Sequence, residues 1–455
     1  MEKLSAEAVE KSSTGGGNGM FLERYFKLNE RSTTVKTEIM AGLTTFIAMS
    51  YLIFVVPSQF LVASGMPQVS ATAAVIISTG IATLLMGMYA NLPIAMGSGL
   101  GLGAVFAFIM CGSMGLSWQT ALGAVFISGV LFFILAITNI TQMVIEAIPT
   151  CLKGAIGVGI GLFIAFIGFK GAGIVVSSPG TMITMGTLHN PNTMLSLIGL
   201  ILTTILLAKN IKGAFLLGIL GTTVIGMFMG ITKFPTSLSD IVSFVPPIPV
   251  DTIGQLDIMG AVGYGLVSIV FTITIIDLFD NIGTLIAVTG KAGLLDENNN
   301  LPGINKALIA GSGATMLGGL FGSCTITSYL ESAVGVAEGG RTGLSAVVTG
   351  ILFLCTLFLT PLAGLVPGAA TSPILIILGA LMIEGIVHLD FSDFTNGMPI
   401  FLTIILMPFT GNIVEGMAFG FISYTILKLV TGKRTEVHPL MYILCLIFAV
   451  HLYMK

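Results

Sequence analysis

Residues 93–112 read PIAMGSGLGLGAVFAFIMCG. The stretch carries no charge and is long enough to cross a hydrocarbon core of ~30 Å as a helix. Yet Gly97, Gly99, Gly101 and Gly103 fall at alternate positions. Each glycine inside a helix costs about 1 kcal/mol relative to alanine, so this spacing predicts an extended or broken segment. Bare backbone at membrane depth is tolerated only where it lines a cavity or is buried in protein. A second irregular start, Gly322-Ser323-Cys324-Thr325-Ile326-Thr327-Ser328, opens a later apolar segment. Paired broken segments in corresponding places point to a binding site at the bilayer midplane.

The rest of the chain makes the solvent lipid. Of 455 residues, 55% are hydrophobic and 9% charged, and mean hydropathy is +1.02. Soluble domains carry about 25% charged residues, so this chain could not cover a water-facing surface. The fold class is an all-α polytopic membrane protein. Apolar runs place spans at 37–62, 71–90, 93–112, 117–140, 150–169, 192–209, 213–232, 258–290, 303–321, 323–338, 343–366, 371–388, 397–411 and 413–431. A last apolar stretch, 439–454, is either a further crossing or an interfacial helix. Residues 1–20 are polar and lack a signal-peptide core, and 21–36 form a basic amphipathic segment for the membrane surface.

Charge tests the count. With the N-terminus in the cytoplasm, fourteen alternating spans bring Lys153, Lys209, Lys212, Lys291, Lys306, Arg341, Lys428, Lys433 and Arg434 to cytoplasmic ends. Lys170 and Lys233 fall outside. That is the positive-inside bias, and it expects a cytoplasmic (inner) membrane protein. The long external segment 233–256 divides the chain, with seven spans on either side. An odd number per half forces the halves into opposite orientations, a 7+7 inverted repeat. Spans 3 and 10, the two broken ones, then occupy equivalent places.

Ionisable groups inside a span cost roughly 2.5–3.5 kcal/mol on insertion scales, so function is their default explanation. Asp277 and Asp280 lie in the eighth span and Glu331 in the tenth. No Lys or Arg shares their depth in the sequence. A carboxylate shielded from water without a counter-charge takes up a proton readily, which suits coupling. Asp280, Glu331 and Asp277 are the proton-coupling candidates. A pair of carboxylates also accepts ring N–H bonds from a neutral heterocycle. Thr284 lies one turn beyond Asp280 on the same face, as a hydroxyl lining. Glu331 follows its broken stretch at a half-helix N-terminus, where the helix dipole favours negative charge. Small-residue packing accounts for Gly154, Gly157, Gly159 and Gly161 but not for the paired pattern.

Other classes fit less well. There is no basic block for nucleic acid. The five cysteines contain no CxxC pair and the four histidines no ligand spacing, so neither metal nor cofactor is expected. The glycine run lacks the Lys-Ser or Lys-Thr of a phosphate loop. An intramembrane aspartyl protease needs Gly-x-Gly-Asp, but Gly101-Leu102-Gly103 precedes Ala104, so no enzyme is expected. An anion exchanger of the same architecture is the alternative, and the two free acids argue against it.

Three motifs carry a resemblance: Ala41-Gly42-Leu43-Thr44-Thr45-Phe46, Leu278-Phe279-Asp280-Asn281-Ile282-Gly283-Thr284-Leu285, and Thr327-Ser328-Tyr329-Leu330-Glu331-Ser332 followed by Glu338-Gly339-Gly340-Arg341-Thr342-Gly343-Leu344. Over about residues 21–434 the chain resembles the AzgA-like branch of the nucleobase–cation symporters, permeases for adenine, guanine and hypoxanthine. The resemblance implies proton-coupled uptake of a purine. It also implies a core domain (37–140 and 257–366) moving against a gate domain (141–232 and 367–431), with tails at 1–36 and 432–455, and it is compatible with a homodimer. The implied substrate-binding residues are Asp280, Glu331, Thr284, Gly103, Ser98 and Ser328. The family's third-span motif reads like Pro-Gly-x-Gly-x-Asn-Ala, whereas this chain has Ser98 in the place of Pro and Gly103 in the place of Asn. The missing Asn side chain predicts altered purine selectivity.

Overall fold

The computed structural model describes residues 17–138, 147–263, 267–297 and 300–454. The first sixteen residues and the end of the fourth predicted span lie outside them. Helix α1 is Gly17–Phe26. The first long apolar segment, α2 (Val35–Ser64), is followed by α3 (Gln68–Ala90), strand β1 (Met96–Ser98) and α4 (Leu100–Ser113). Next come α5 (Trp118–Ile137), α6 (Thr150–Gly171), the hairpin β2 (Val175–Ser178) and β3 (Met182–Met185), α7 (Pro191–Ala208) and α8 (Ala214–Phe228). The second half holds α9 (Ile258–Gly263), α10 (Val267–Lys291), α11 (Ile304–Phe321), β4 (Ile326–Ser328) and α12 (Ser332–Ala337). It continues with α13 (Gly343–Leu365), α14 (Gly368–His388), α15 (Phe394–Thr410), α16 (Ile413–Val430) and α17 (Pro439–Met454).

Among the described residues, nine helices are long and apolar enough to cross a membrane. Helices α4, α8 and α15 are apolar but shorter. The helices pack in two groups. In one, α13 lies against α2 and α3, and α11 lies against α3 and α5. In the other, α6 lies against α14 and α15, α15 against α16, and α7 against α8 and α14.

Strands β1 and β4 pair antiparallel, with Met96 opposite Ser328 and Ser98 opposite Ile326. Each lies immediately before a short helix, one in either half of the chain. Their remaining backbone groups find partners, as apolar surroundings demand. Thr83 Oγ1 accepts from Met96 N at 3.0 Å and donates to Met96 O at 3.0 Å. Ala95 N donates to Ser332 Oγ at 2.9 Å. Gly97 is required by packing: a Cβ there would lie 2.8 Å from Leu52 Cδ1 and 3.2 Å from a Tyr329 ring carbon.

Glu38 is fully buried and caps α13 from a distance. Its Oε1 accepts from Arg341 N (2.7 Å) and Thr342 N (3.1 Å), and its Oε2 from Ser345 N (3.1 Å). A carboxylate is stabilised there by the unpaired N–H groups of the helix start. At the end of α1 and just beyond it, Phe26 and Leu28 turn inward against Leu344. The stretch left open at 439–454 is helical, and its buried face, Met441, Leu444 and Phe448, packs on α16 with Phe448 against Phe421.

Candidate functional site

Strand β4, paired with β1 behind it, lines a cavity of about 470 Å³, a size suited to a small molecule (~300–1,000 Å³). Four side chains from three places in the fold give it its chemistry: Asp280 and Thr284 from α10, Glu331 from the turn between β4 and α12, and Tyr51 from the break in α2. Thr327 and Ser328 of β4 line it as well, and Leu100, Gly101 and Leu102 open α4 against it. The opposite wall is apolar: Ile160 and Ile164 of α6, Phe215 of α8 and Leu378 of α14. The mouth lies toward Lys291 and Glu384.

Asp280 and Glu331 are close enough to feel each other's charge. Among the described residues neither is in an ion pair with Lys or Arg. Tyr51, fully buried, donates its hydroxyl to Glu331 Oε1 at 2.5 Å. The Thr327 hydroxyl faces the Asp280 carboxylate. The site therefore offers two acidic acceptors, hydroxyls, and the exposed edges of two half-helices against a greasy wall. That combination suits a flat, largely apolar ligand with N–H donors.

Of the sequence-predicted residues, Asp280, Glu331, Thr284 and Ser328 come together around this cavity. Asp277, Ser98 and Gly103 are not among its lining residues. Asp277 is fully buried on an adjoining face of α10, where it accepts from Thr315 Oγ1 (2.7 Å) and Asn281 Nδ2 (2.8 Å). Asn281 Oδ1 in turn accepts from Ser328 N at 3.0 Å, so Asp277 holds the amide that anchors β4. Asp277 precedes Asp280 by three positions, which leaves the two about 60° apart around the helix, enough to aim one carboxylate at Thr315 and the other at the cavity. Ser98 bonds Ser323 through its hydroxyl at 2.7 Å behind the strands. A Cβ on Gly103 would point at Phe60 (3.0 Å) and Cys324 Sγ (3.3 Å), not at the cavity. A side chain at position 103 would therefore face Phe60 and Cys324 and not the residues that line the cavity.

Sequence reasoning missed Tyr51, Phe215 and Thr327. Tyr51 had a usable signal, a phenol in mid-span whose hydroxyl must find a partner. Phe215 had none, since one aromatic in an apolar helix looks like any other.

A helical bundle whose two half-strands cross at the centre beside a carboxylate-lined cavity defines a multi-pass membrane permease. The chain belongs to the permease family whose sequence profile matches residues 36–419. It is 40% identical to the adenine permease AdeP of Escherichia coli, over 95% of this chain and 96% of that one. It is also 40% identical to the guanine/hypoxanthine permease PbuO of Bacillus subtilis, over 94% of this chain and 99% of that one. Among solved structures, the transmembrane domain of the cyanobacterial bicarbonate transporter BicA superposes with a TM-score of 0.62 at 17% identity, covering 84% of this chain and 96% of that one. The fold is thus that of the 7+7 inverted-repeat transporters.

Proposed function

We propose that this permease takes up purine nucleobases together with protons across the cytoplasmic membrane, with its N-terminus inside and fourteen crossings. The observation that carries the reading is the convergence of Asp280 and Glu331 on one apolar-walled cavity, in a chain equally similar to an adenine and a guanine/hypoxanthine permease. Purines present ring N–H donors and a flat apolar face. The carboxylates accept the former, and the Ile160–Phe215 wall covers the latter. Proton binding to one of the pair relieves the repulsion between two like charges, so loading the base and loading the proton favour each other.

The two packing groups serve as core (37–140 and 257–366) and gate (141–232 and 367–431), and the ligand lies between them. With the N-terminus inside, the mouth at Lys291 and Glu384 opens to the cytoplasm. Transport then requires the core to move against the gate until the site faces outward. The family resemblance suits a homodimer in the bilayer. Anion exchange on this fold would call for a positive site, and two uncompensated acids disfavour it.

The test is uptake of radiolabelled adenine, guanine and hypoxanthine into cells expressing the chain. Uptake should collapse with a protonophore and in Asp280→Ala and Glu331→Ala. Uptake persisting in both variants would overturn the site.

A further inference from the structure

We propose that Tyr51 is a positioning residue for substrate: it holds one oxygen of Glu331 so that the other is presented to the cavity. The inference rests on the purine reading above and adds a residue to it.

Glu331 sits on the short turn joining β4 to α12. Its one side-chain hydrogen bond among the described residues comes from Tyr51, at 2.5 Å to Oε1. Glu38 and Asp277, two fully buried acids, have three and two donors respectively, whereas Glu331 is half-buried. The Glu331 carboxylate is therefore held by one side chain, the Tyr51 phenol, beside its own backbone N–H. Tyr51 is itself fixed. It is 0% exposed, and its ring meets Phe215 edge-on with centroids 5.2 Å apart at 61°. Phe215 belongs to α8, on the opposite wall. The phenol is thus wedged between the acid it serves and the far side of the cavity.

Among the described residues, no second side chain donates to Glu331. Asp280 of α10 is an acceptor, and the Tyr329 hydroxyl is already committed to Ser98 O. Lys291 lies at the mouth, about 16 Å along α10 from Asp280. A carboxylate has two oxygens and room for several donors. With Oε1 taken by Tyr51, Oε2 is the atom left for a ring N–H.

The test is equilibrium binding of radiolabelled adenine, guanine and hypoxanthine to the full chain in lipid nanodiscs. Four proteins are compared: wild type, Tyr51→Phe, Glu331→Gln and the double variant. Phenylalanine keeps the ring and its contact with Phe215. Hydrogen bonds to charged groups are strong enough that Tyr51→Phe should weaken binding about tenfold or more. In the Glu331→Gln background the same change should add less than about twofold, the mark of a residue acting through its partner. Wild-type affinity in Tyr51→Phe, or an equal loss in both backgrounds, overturns the proposal. If Tyr51→Phe does not fold, 3-fluorotyrosine incorporated at position 51 changes the donor and keeps the shape. Unchanged binding there overturns the proposal equally. Failure of the purine reading is separately visible, because wild type would then bind none of the three bases.

Discussion

Gln59 Nε2 lies 2.7 Å from Thr371 Oγ1 and 3.2 Å from Ser372 Oγ, joining α2 to α14 at the end of the molecule away from the cavity mouth. Thr371 precedes Glu384 on the same helix by roughly 20 Å at 1.5 Å per residue. Ser58 reinforces the contact, its hydroxyl 3.2 Å from that of Thr371. The two packing groups are therefore clasped at this end, and the Lys212–Glu338 ion pair joins them at the other. Pro57 opens a π-helical turn here, Pro57–Leu61. Such turns are often found at functional positions within helices.

Gln59→Leu should release this clasp and raise the population open at the far end. Neutral hydrogen bonds contribute ~1 kcal/mol each, so the apparent KM for purine presented from outside should fall by roughly fivefold. Uptake kinetics in intact cells measure this. An unchanged KM would show that the clasp does not hold the closed end.

Asp277 and Asp280 should part company under the same substitution. Asp277→Asn loosens the Thr315 and Asn281 bonds, and leaving a buried polar group short of a partner costs about 1–3 kcal/mol. Its melting temperature in detergent should drop by several degrees, while its remaining uptake stays sensitive to protonophore. Asp280→Asn should melt close to wild type and transport nothing. Reversed behaviour of the pair would contradict the placement of Asp277 against Thr315 and of Asp280 at the cavity.

Position 103 offers a sharp check on direction. Gly103→Asn has to displace Phe60 and Cys324, so overpacking of about 1–3 kcal/mol should lower the yield of folded protein. Competition of uptake by adenine, guanine, hypoxanthine and xanthine should keep its wild-type order. A changed order would restore the selectivity role that the sequence motif suggested.

Acid sensitivity should trace to the loop before α15. Hydrogen bonds from Lys433 and then Thr395 hold the Asp393 carboxyl well below the usual carboxylate range, and Lys433, 2.7 Å away, is raised by the same contact. A depressed carboxyl stabilises the folded state fully above its unfolded value of about 3.9, and the contribution is lost as pH falls through the folded value. Wild type should therefore lose more melting temperature between pH 7 and pH 3 than Lys433→Met. Thermal unfolding in detergent at both pH values decides it; identical losses would remove Asp393 from the account.

Much of this protein is legible in one dimension. Hydropathy and charge are local quantities, so they mark lipid as the solvent and place the apolar segments. The alternate glycines of 97–103 and the irregular 322–328 mark two breaks because a helix penalises such residues wherever it forms. Asp280 and Glu331 stand out because charge inside a span is costly whatever surrounds it. Tertiary structure alone decided what those features face. The pairing of Met96 with Ser328, the phenol of Tyr51 on Glu331, the turning of Asp277 toward Thr315 and of Gly103 toward Phe60 all join residues far apart in the chain or depend on helix rotation. No local pattern encodes either, because strand register and helix azimuth are set by packing between the two inverted halves.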